Sequence, residues 1–211
     1  MNAKHLEYCA SDAWADAVKR FIIPWTVEGL DLGNNVIEVG PGPGRTTDVL
    51  RDMVPKLTSV EIDEDLATAL SERLAGSNVE VVQADATHLP FPEGRFSAAL
   101  SFTMLHHVPT PELQDLLLAE LARVLRPGGL LAGVDSLDSV AFREMHVDDI
   151  CVPLEPAALP DRLARAGFRD VQIDRNDYNQ VRFRARAWPA SAGPSTHSPR
   201  TACAFRGPAS Q

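Results

Sequence analysis

The feature that most restricts the fold is a regular alternation of short β-rich segments and helical segments that begins at residue 35. Parallel strands need crossover connections, so this order predicts right-handed βαβ units and a mainly parallel sheet covered by helices. In chain order, the segments are VIEV, RTTDVLRDMV, LTSVEI, EDLATALSERLA, VEVVQ, FSAALSF, PELQDLLLAELARVL, LLAGVD and PAALPDRLARAGF. We therefore expect an α/β protein.

The segment VRFRARA departs from this rhythm. Apolar and basic side chains alternate along it, which is the period-2 pattern of a strand with one buried and one wet face. The apolar positions are Val181, Phe183, Ala185 and Ala187, and the basic positions are Arg182, Arg184 and Arg186. The pattern predicts a last strand that runs antiparallel to its neighbour.

The length of 211 residues and the hydrophobic content of 45% suit one α/β domain with a substantial core. Before the alternation, SDAWADAVKRFIIPW has an N-cap candidate at Ser11 and apolar residues at helical spacing, which predicts a helix. After Trp188 the chain consists mainly of Pro, Ser, Ala, Gly and Thr, and it can bury too little apolar surface to offset its ordering entropy. We expect a helical cap over residues 1–34, the α/β domain over residues 35–188 and a disordered tail over residues 189–211.

The formal net charge of −9 opposes attraction to phosphate backbones, so no nucleic-acid partner is expected. No stretch approaches about 20 uninterrupted apolar residues, and the N-terminal sequence lacks the pattern of a secretory signal. The sequence thus predicts a cytoplasmic protein without a membrane partner. Cys9, Cys151 and Cys203 are odd in number and far apart, which fits reduced thiols rather than a disulfide framework or a CxxC metal site.

The stretch VIEVGPGPGRTT places Gly40, Gly42 and Gly44 between the first strand and the next helix. Such a turn brings bare backbone and a helix N-terminus beside a ligand. A phosphate-binding P-loop needs GxxxxGK followed by Ser or Thr, and this turn has no lysine. The dinucleotide fingerprint GxGxxG needs a glycine where Arg45 stands, so NAD or FAD is a minority alternative.

A third class of site fits these residues better. The pattern ExGxGxG, with Glu38 at the end of the strand, resembles the first motif of class I methyltransferases that use S-adenosylmethionine, especially small-molecule methyltransferases of types 11 and 25. The resemblance implies that backbone at Gly40 and Gly42 approaches the amino-acid end of the cofactor. It also implies that Glu38 helps to hold the cofactor's ammonium, directly or through water. The alternative is that the glycines close the strand for steric reasons alone.

Later motifs follow the order of the same family. Glu61 ends the second strand about 20 residues after the glycines, where a carboxylate can accept hydrogen bonds from both ribose hydroxyls; a solvated charge is the alternative. VVQADATHLPFPEGRFSAALSF resembles the next motifs, in which Asp85 accepts from the adenine amino group and the Ala86 N–H serves a ring nitrogen. RVLRPGGLL resembles the turn into the fifth strand. Ser97 departs from the usual aspartate, which puts packing rather than cofactor binding in question.

The resemblance extends over about residues 36–135. It implies a doubly wound, Rossmann-like sheet of seven mostly parallel strands with an antiparallel last strand and an N-terminal helical cap. It also implies that the N-terminal segment lies over the cofactor, with Tyr8 and Trp14 as wall residues; for Trp14, anchoring its own helix is the alternative. The predicted cofactor-binding residues are Glu38, Gly40, Pro41, Gly42, Gly44, Glu61, Ile62, Asp85, Ala86, Ser101 and Phe102.

Methyl transfer from a sulfonium is an in-line displacement of a good leaving group. Much of its acceleration can come from holding nucleophile, methyl and sulfur in line, about 3 Å apart, with water excluded. A hydroxyl or ammonium acceptor also needs a base within hydrogen-bond reach. His106, which follows the fourth strand, is the candidate because imidazole titrates near neutral pH; packing or helix capping by His106 and His107 is the stronger alternative.

The segment DSLDSVAFREMHVDDICVP follows the fifth strand and should emerge at the ligand-binding edge of the sheet. Its acids and one histidine suggest an oxygen-rich metal site, but their spacing matches no metal motif. We favour a solvated or substrate-facing loop and predict no metal. The residues concerned are Asp135, Asp138, His146, Asp148 and Asp149.

The sequence therefore predicts methyl transfer from S-adenosylmethionine to a small-molecule acceptor, since no RNA, DNA or protein-binding module is visible. The Asp/Asn-Pro-Pro-Tyr hallmark of N-methyltransferases is absent after the fourth strand, where SFTM stands. This absence disfavours methylation of nucleic-acid amines. The main alternative is a catalytically silent S-adenosylmethionine-binding protein that acts through a partner. The sequence specifies neither the acceptor, its reacting atom nor the oligomeric state.

Overall fold

The computed structural model describes residues 1–188, which contain one seven-stranded sheet. The order along the sheet is β3-β2-β1-β4-β5-β7-β6. Neighbouring strands from β3 to β5 are parallel, whereas β7 is antiparallel to both β5 and β6. The strands are β1 (Val36–Val39), β2 (Leu57–Glu61), β3 (Val79–Gln83), β4 (Phe96–Phe102), β5 (Leu125–Ser136), β6 (Phe168–Asn176) and β7 (Gln180–Ala187). The predicted sheet with a reversed last strand is confirmed, and the predicted tail lies outside the described residues.

Helices surround the sheet and precede it. The N-terminal part contains α1 (Ala3–Ala10), α2 (Asp12–Ala17), a π-helical turn (Val18–Ile22) and α3 (Ile23–Val27). The remaining helices are α4 (Arg45–Leu50), α5 (Glu64–Arg73), a 3₁₀ turn (Leu105–His107), α6 (Pro111–Val124), α7 (Val140–Met145) and α8 (Leu159–Arg165). In residues 1–188, none of these helices combines the length and the hydropathy that a bilayer crossing requires.

One of the N-terminal helices, α2, begins at the N-cap that the sequence predicts. The Ser11 hydroxyl accepts from the Trp14 N–H at 3.1 Å and starts α2. The π-helical turn comes just before Pro24, whose nitrogen has no hydrogen to donate, and Ile23 N–H donates to the Val18 carbonyl five residues back. The preceding helix α1 was not predicted from the spacing of apolar residues; the Asn2 side chain caps it by accepting from His5 N–H at 2.8 Å.

Two apolar clusters cover opposite faces of the sheet, as expected for a doubly wound fold. One includes Leu117 and Leu121 of α6, and the other includes Ile22, Ile23 and Leu50. Every residue of β1, β2 and β4 is buried, as expected for parallel strands covered on both faces. The centre of the sheet is therefore a rigid support for the turns at its edge.

The last strand buries its apolar face as predicted, with Phe183 only 1% exposed. Its basic face is not simply wet. Arg182 donates to the Trp25 carbonyl at 2.6 Å, and Arg184 donates to the Thr26 carbonyl at 2.9 Å. These carbonyls lie in the last turn of α3, where cations and donors stabilise a helix end. The arginines therefore attach the N-terminal helices to the reversed strand.

Ser97, the departure from the family pattern, has a packing role. Its hydroxyl donates to the Leu32 carbonyl at 2.7 Å and accepts from Asn35 N–H at 3.1 Å. A Cβ on Gly33 would lie 2.6 Å from the Ser97 Cβ, so the chain passes too closely for a larger pair. Ser97 thus joins the linker before β1 to the start of β4.

Candidate active site

A cleft of about 400 Å³ lies at the carboxyl ends of β1 to β4, where the strand order reverses between β1 and β4. Open α/β sheets bind ligands at such a switch point. Eight of the predicted cofactor residues line this cleft: Gly40, Pro41, Gly42, Glu61, Ile62, Asp85, Ala86 and Phe102. Glu38, Gly44 and Ser101 do not line it.

The glycine turn (residues 40–44) follows β1 and has three glycines in the left-handed region, with φ of +64° at Gly40, +53° at Gly42 and +83° at Gly44. A Cβ on Gly40 would lie 2.0 Å from the Met104 Cγ, so the close approach of Met104 already requires glycine there. A Cβ on Gly44 would lie 2.3 Å from the Leu70 Cδ1. Gly44 therefore allows α4 and α5 to pack, whereas Gly40 and Gly42 present backbone to the cleft.

Glu38 points behind the cleft rather than into it. Its carboxylate is 1% exposed and accepts hydrogen bonds from the hydroxyls of Thr46, Thr47 at 2.6 Å and Ser59 at 3.0 Å. Burial raises the pKa of the Glu38 carboxyl, and the three hydroxyls oppose that rise. The residue joins β1 to β2 and to the first turn of α4, so any contact with a cofactor ammonium would have to be indirect.

Glu61 and Ile62 occupy the end of β2 on the cleft wall. The Glu61 carboxylate accepts from Gly42 N–H at 2.9 Å and from Asp63 N–H at 3.1 Å. A carboxylate has about four lone-pair positions, so two remain for a ligand. Ile62 is 62% exposed although it is apolar, and a flat ring lying over it would remove that surface from water.

Asp85 and Ala86 follow β3 on the same wall. The Asp85 Oδ1 accepts from both the backbone N–H and the hydroxyl of Thr87 at 2.8 Å, which fixes the carboxylate and leaves Oδ2 for a further donor. Phe102 ends β4 at the cleft. Ser101 is buried beside it, and its hydroxyl has no hydrogen-bond partner within residues 1–188.

The opposite side of the cleft, here called the roof, consists of α1 and residues 145–150. Asn2 joins these two parts: its side-chain amide donates to the Met145 carbonyl at 2.9 Å and the Val147 carbonyl at 3.0 Å, and its backbone N–H donates to Asp149 at 2.9 Å. Trp14 lines the cleft, as predicted for a wall residue. Tyr8 is not among the lining residues but contacts Trp14, with ring centroids 5.6 Å apart.

The predicted base, His106, is 1% exposed and does not line the cleft. Its Nδ1 lies 2.6 Å from the Asp135 Oδ1, and Asp135 itself is fully buried at the end of β5. His107, the next residue, lines the cleft together with His5 of α1. The prediction that His106 acts as a base stays a prediction, but any direct contact with a ligand belongs to its neighbours.

Four histidines meet beneath the roof and form the histidine cluster (His5, His106, His107 and His146). Burial, helped by the neighbouring imidazoles, lowers the pKa of His5 to about 4 and that of His107 to about 3. Burial also lowers the pKa of His146. These three rings are therefore neutral at pH 7.

The acids that the sequence offered as an oxygen-rich set are not brought together. Asp138 forms an ion pair with Arg143 at 2.7 Å on the surface, and Asp148 is exposed. Asp135 contacts His106, and Asp149 belongs to the roof, where it lies beside His5. The histidine pair in TMLHHV was visible in the sequence, whereas the participation of His5 had no local signal because α1 lies far away along the chain.

Cys9 also lines the cleft, and burial raises the pKa of its thiol to about 11. It is therefore a neutral thiol near pH 7 and packs as a small apolar side chain. Cys9 and Cys151 are both free.

Glu61 at the end of β2 and Asp85 just after β3 face the same cleft as the glycine turn, which is the arrangement that the resemblance to class I methyltransferases implied. The sequence comparison agrees. Residues 37–133 match the family model described as a methyltransferase domain.

Curated relatives match about half of this chain. A fatty-acid O-methyltransferase of Mycolicibacterium smegmatis is 37% identical over 106 residues, which cover 49% of this chain and 38% of that protein. The ubiquinone/menaquinone biosynthesis C-methyltransferase UbiE of Pseudomonas fluorescens is 36% identical over 120 residues, covering 54% and 45%. A probable tRNA methyltransferase 9B of Bos taurus is 31% identical over 103 residues, covering 49% and 23%. The chain thus spans less than half the length of these relatives, whose names indicate different acceptors.

A solved S-adenosylmethionine-dependent methyltransferase from Aquifex aeolicus has the same fold. It aligns with a TM-score of 0.69 and 20% identity over 88% of this chain and 98% of that one.

Proposed function

We propose that the protein transfers the methyl group of S-adenosylmethionine to a small-molecule acceptor by in-line displacement. The observation that carries this proposal is the two-sided cleft. One side consists of the turns after β1 to β4, and the other is the roof formed by α1 and residues 145–150. A cofactor on the first side and an acceptor under the second would be held together with water excluded, which is the main requirement of this reaction.

The cofactor side has groups suited to each part of S-adenosylmethionine. Glu61 has lone pairs left for the ribose hydroxyls, and Asp85 Oδ2 is available to the adenine amino group. Ile62 offers an exposed apolar surface to the adenine ring. Backbone at Gly40 and Gly42 borders the same space, where the amino-acid end would lie. These features support the cofactor site but do not define the acceptor.

The roof side supports a small, largely apolar acceptor. Leu6, Trp14 and Ile150 contribute apolar surface there, and His107 and Asp149 contribute polar groups. Such a mixture suits a lipophilic molecule with one polar reacting group. The names of the fatty-acid and quinone-pathway relatives are compatible with such an acceptor. The net charge of −9 makes tRNA, the substrate named for a third relative, a weaker candidate.

In the proposed reaction, a lone pair on the acceptor attacks the methyl carbon, and the electron pair of the breaking C–S bond goes to sulfur. The products are the methylated acceptor and S-adenosylhomocysteine. A hydroxyl acceptor must also lose its proton. His106, held by Asp135, would receive this proton only through the neighbouring rings, because His5 and His107 separate it from the cleft.

The first test is calorimetry of the full chain with S-adenosylmethionine and S-adenosylhomocysteine. Saturable binding of both with one site is expected. NAD is the control ligand, and an NAD-induced rise in melting temperature without one from S-adenosylmethionine would overturn the cofactor assignment.

The second test follows radiolabelled methyl from S-adenosylmethionine into three acceptor pools: lipophilic metabolites, polar metabolites and total tRNA. Incorporation into the lipophilic pool is expected. Incorporation of label into tRNA alone would show that the acceptor is tRNA rather than a small molecule. If no pool is labelled although the cofactor binds, the alternative of a catalytically silent binding protein would be favoured. Single-turnover transfer by His106→Gln then tests the base, since undiminished chemistry would exclude it.

A further inference from the structure

The histidine cluster brings together imidazoles from three separate segments. His5 lies in α1, His106 and His107 form the 3₁₀ turn after β4, and His146 follows α7. One ring nitrogen of each lies within 4.8 Å of those of the other three. Among residues 1–188, no other group of three or more His, Cys, Asp or Glu side chains is arranged to hold a metal ion.

The hydrogen bonds of the cluster leave one ring nitrogen of His106 and one of His146 without a partner among residues 1–188. The His106 Nδ1 is bonded to Asp135 at 2.6 Å, and the His146 Nδ1 is bonded to the Phe142 carbonyl at 2.7 Å. In both rings Nε2 is buried without a hydrogen-bond partner within the described chain, and the Nδ1 of His5 also has no hydrogen bond there but lies 3.6 Å from the Asp149 Oδ2. His5, His106 and His146 are 7%, 1% and 5% exposed, respectively. A ring that donates through one nitrogen to a carboxylate or carbonyl and leaves the other free has the arrangement of a metal-ligating histidine.

The charges around the cluster also fit a cation. Asp135 is fully buried, and the Asp149 carboxylate lies 3.6 Å from His5 and 4.0 Å from His107. A divalent ion among the rings would lie close to both acids, of which Asp149 is also 3.6 Å from the N-terminal ammonium.

We propose that the histidine cluster binds one divalent first-row transition-metal ion of the imidazole-preferring kind, such as Zn²⁺. Imidazole ligands suit zinc, copper, iron and nickel, whereas magnesium and calcium prefer oxygen. Tetrahedral zinc with Zn–N bonds near 2.0–2.1 Å places its nitrogens about 3.4 Å apart, so the rings must move together by roughly 1 Å. His5 can supply this movement because it belongs to α1. That helix is joined to the rest of the roof by the side-chain hydrogen bonds of Asn2.

The alternative is that four neutral rings simply pack together. The ring centroids of His106 and His107 are 4.2 Å apart, and those of His5 and His146 are 4.4 Å apart, which are ordinary contact distances. Packing alone does not explain three buried nitrogens without partners, since such groups are rare in folded proteins. The sequence-based expectation of no metal considered the acids and His146 at and after the end of β5, and the ligands His5, His106 and His107 lie outside that segment.

The ion would lie between the core and the roof. His106 is fixed to β5 through Asp135, whereas His5 belongs to α1 and lines the cleft. A bond from the metal to both would fasten α1 over the acceptor side of the cleft. Metal binding is thus expected to order the roof, independently of any chemistry in the cleft.

The test titrates the full chain, after chelator treatment, with Co²⁺ followed by visible absorption and with Zn²⁺ followed by calorimetry. We expect one ion per chain and Co²⁺ ligand-field bands typical of nitrogen ligation. His5→Gln and His146→Gln each remove a proposed ligand and should weaken metal binding about 10- to 100-fold or more. Asp135→Asn changes only the carboxylate that holds the ligand His106, and it should weaken metal binding about 10- to 100-fold. His88→Gln is the matched control because His88 is exposed and outside the cluster.

Absence of one-equivalent binding would overturn the proposal, as would unchanged affinity in both His5→Gln and His146→Gln. Near-ultraviolet circular dichroism shows whether each variant is folded. Because His5 is on a surface helix, its variant remains informative if His146→Gln does not fold. S-adenosylhomocysteine affinity is measured separately, so a failed cofactor site and a failed metal site are distinguishable.

Discussion

The two sides of the cleft are built differently. On the cofactor side, the glycine turn, Glu61 and Asp85 each lie at or just after the end of a parallel strand. On the roof side, His5, His107 and Asp149 come from α1, the turn after β4 and the segment after α7. Backbone hydrogen bonds of the sheet position the first group. The second group depends on how separate segments pack over that sheet.

This difference has consequences for stability. The strands under the cofactor side are buried, and Glu61 is fixed by backbone N–H groups. The roof is held largely by the Asn2 hydrogen bonds to residues 145–149 and by the contacts around His5. Segments with few buried contacts open at lower free energy than core strands. Perturbing one side should therefore leave much of the other intact.

The largest expected effect is on the cofactor side. Gly40→Ala would place a Cβ 2.0 Å from the Met104 Cγ at a residue with φ of +64°. Strain and overpacking together should lower the free energy of unfolding by about 3 kcal/mol, and S-adenosylhomocysteine affinity should fall with it. Urea unfolding and calorimetry measure both quantities.

Gly76→Ala is the matched control for Gly40→Ala. Gly76 has φ of +78°, but a Cβ there meets nothing within 4 Å. Only the backbone strain of about 1–2 kcal/mol should appear, with cofactor affinity unchanged. Equal losses in the two variants would show that contact with Met104 is not what requires glycine in the turn.

Glu61→Gln should come next in size. The Glu61 carboxylate accepts backbone hydrogen bonds and faces the cleft. The substitution replaces it with an amide, and the NH₂ group of an amide cannot accept a hydrogen bond. Loss of a hydrogen bond to a charged group costs about 1.5–3 kcal/mol, so S-adenosylhomocysteine should bind about 10- to 100-fold more weakly in calorimetry. Glu64→Gln, at an exposed residue of α5 outside the cleft, is the control. An equal loss in both variants would indicate a general charge effect.

Asn2→Ala should act on the roof side alone. It removes the amide that donates to Met145 and Val147 and the cap of α1, at a cost of about 1 kcal/mol. Hydrogen exchange in α1 should accelerate while S-adenosylhomocysteine affinity changes little. Ser11→Ala, which removes the cap of α2 but no bond to residues 145–149, is the control. A cofactor loss as large as that of Glu61→Gln would mean that the two sides are not separable.

The smallest effect concerns pH and Glu38. Burial raises the pKa of its carboxyl above the ordinary 4.5, so between these two pKa values the folded protein retains a proton that the unfolded chain releases. Stability should therefore fall as pH rises from 4.5 through the raised pKa. The Glu38→Gln variant has no carboxyl group to titrate at this position. In urea titrations at pH 5 and pH 8, its free energy of unfolding should therefore rise relative to that of the wild type as the pH increases. Parallel pH profiles would mean that burial does not control this carboxyl.

The cofactor side could be predicted closely because its residues follow strands that are legible in the sequence. Glu61 and Asp85 line the cleft where the motif order places them. The same reasoning could not show that Glu38 turns toward Thr46 and Thr47, or that Gly44 is required by Leu70. Both depend on the packing of α4, whose distance from its neighbours no local pattern encodes.

By itself, the sequence determined the parallel sheet, its reversed last strand and the set of turns that meet at one edge. It did so because strand periodicity, glycine and crossover order act locally or through general rules of chain topology. Only the tertiary structure decided which side chains form the roof and that four histidines meet beneath it. That outcome depends on α1 packing against residues 145–150, and contacts between segments so far apart leave no periodic signal in either one.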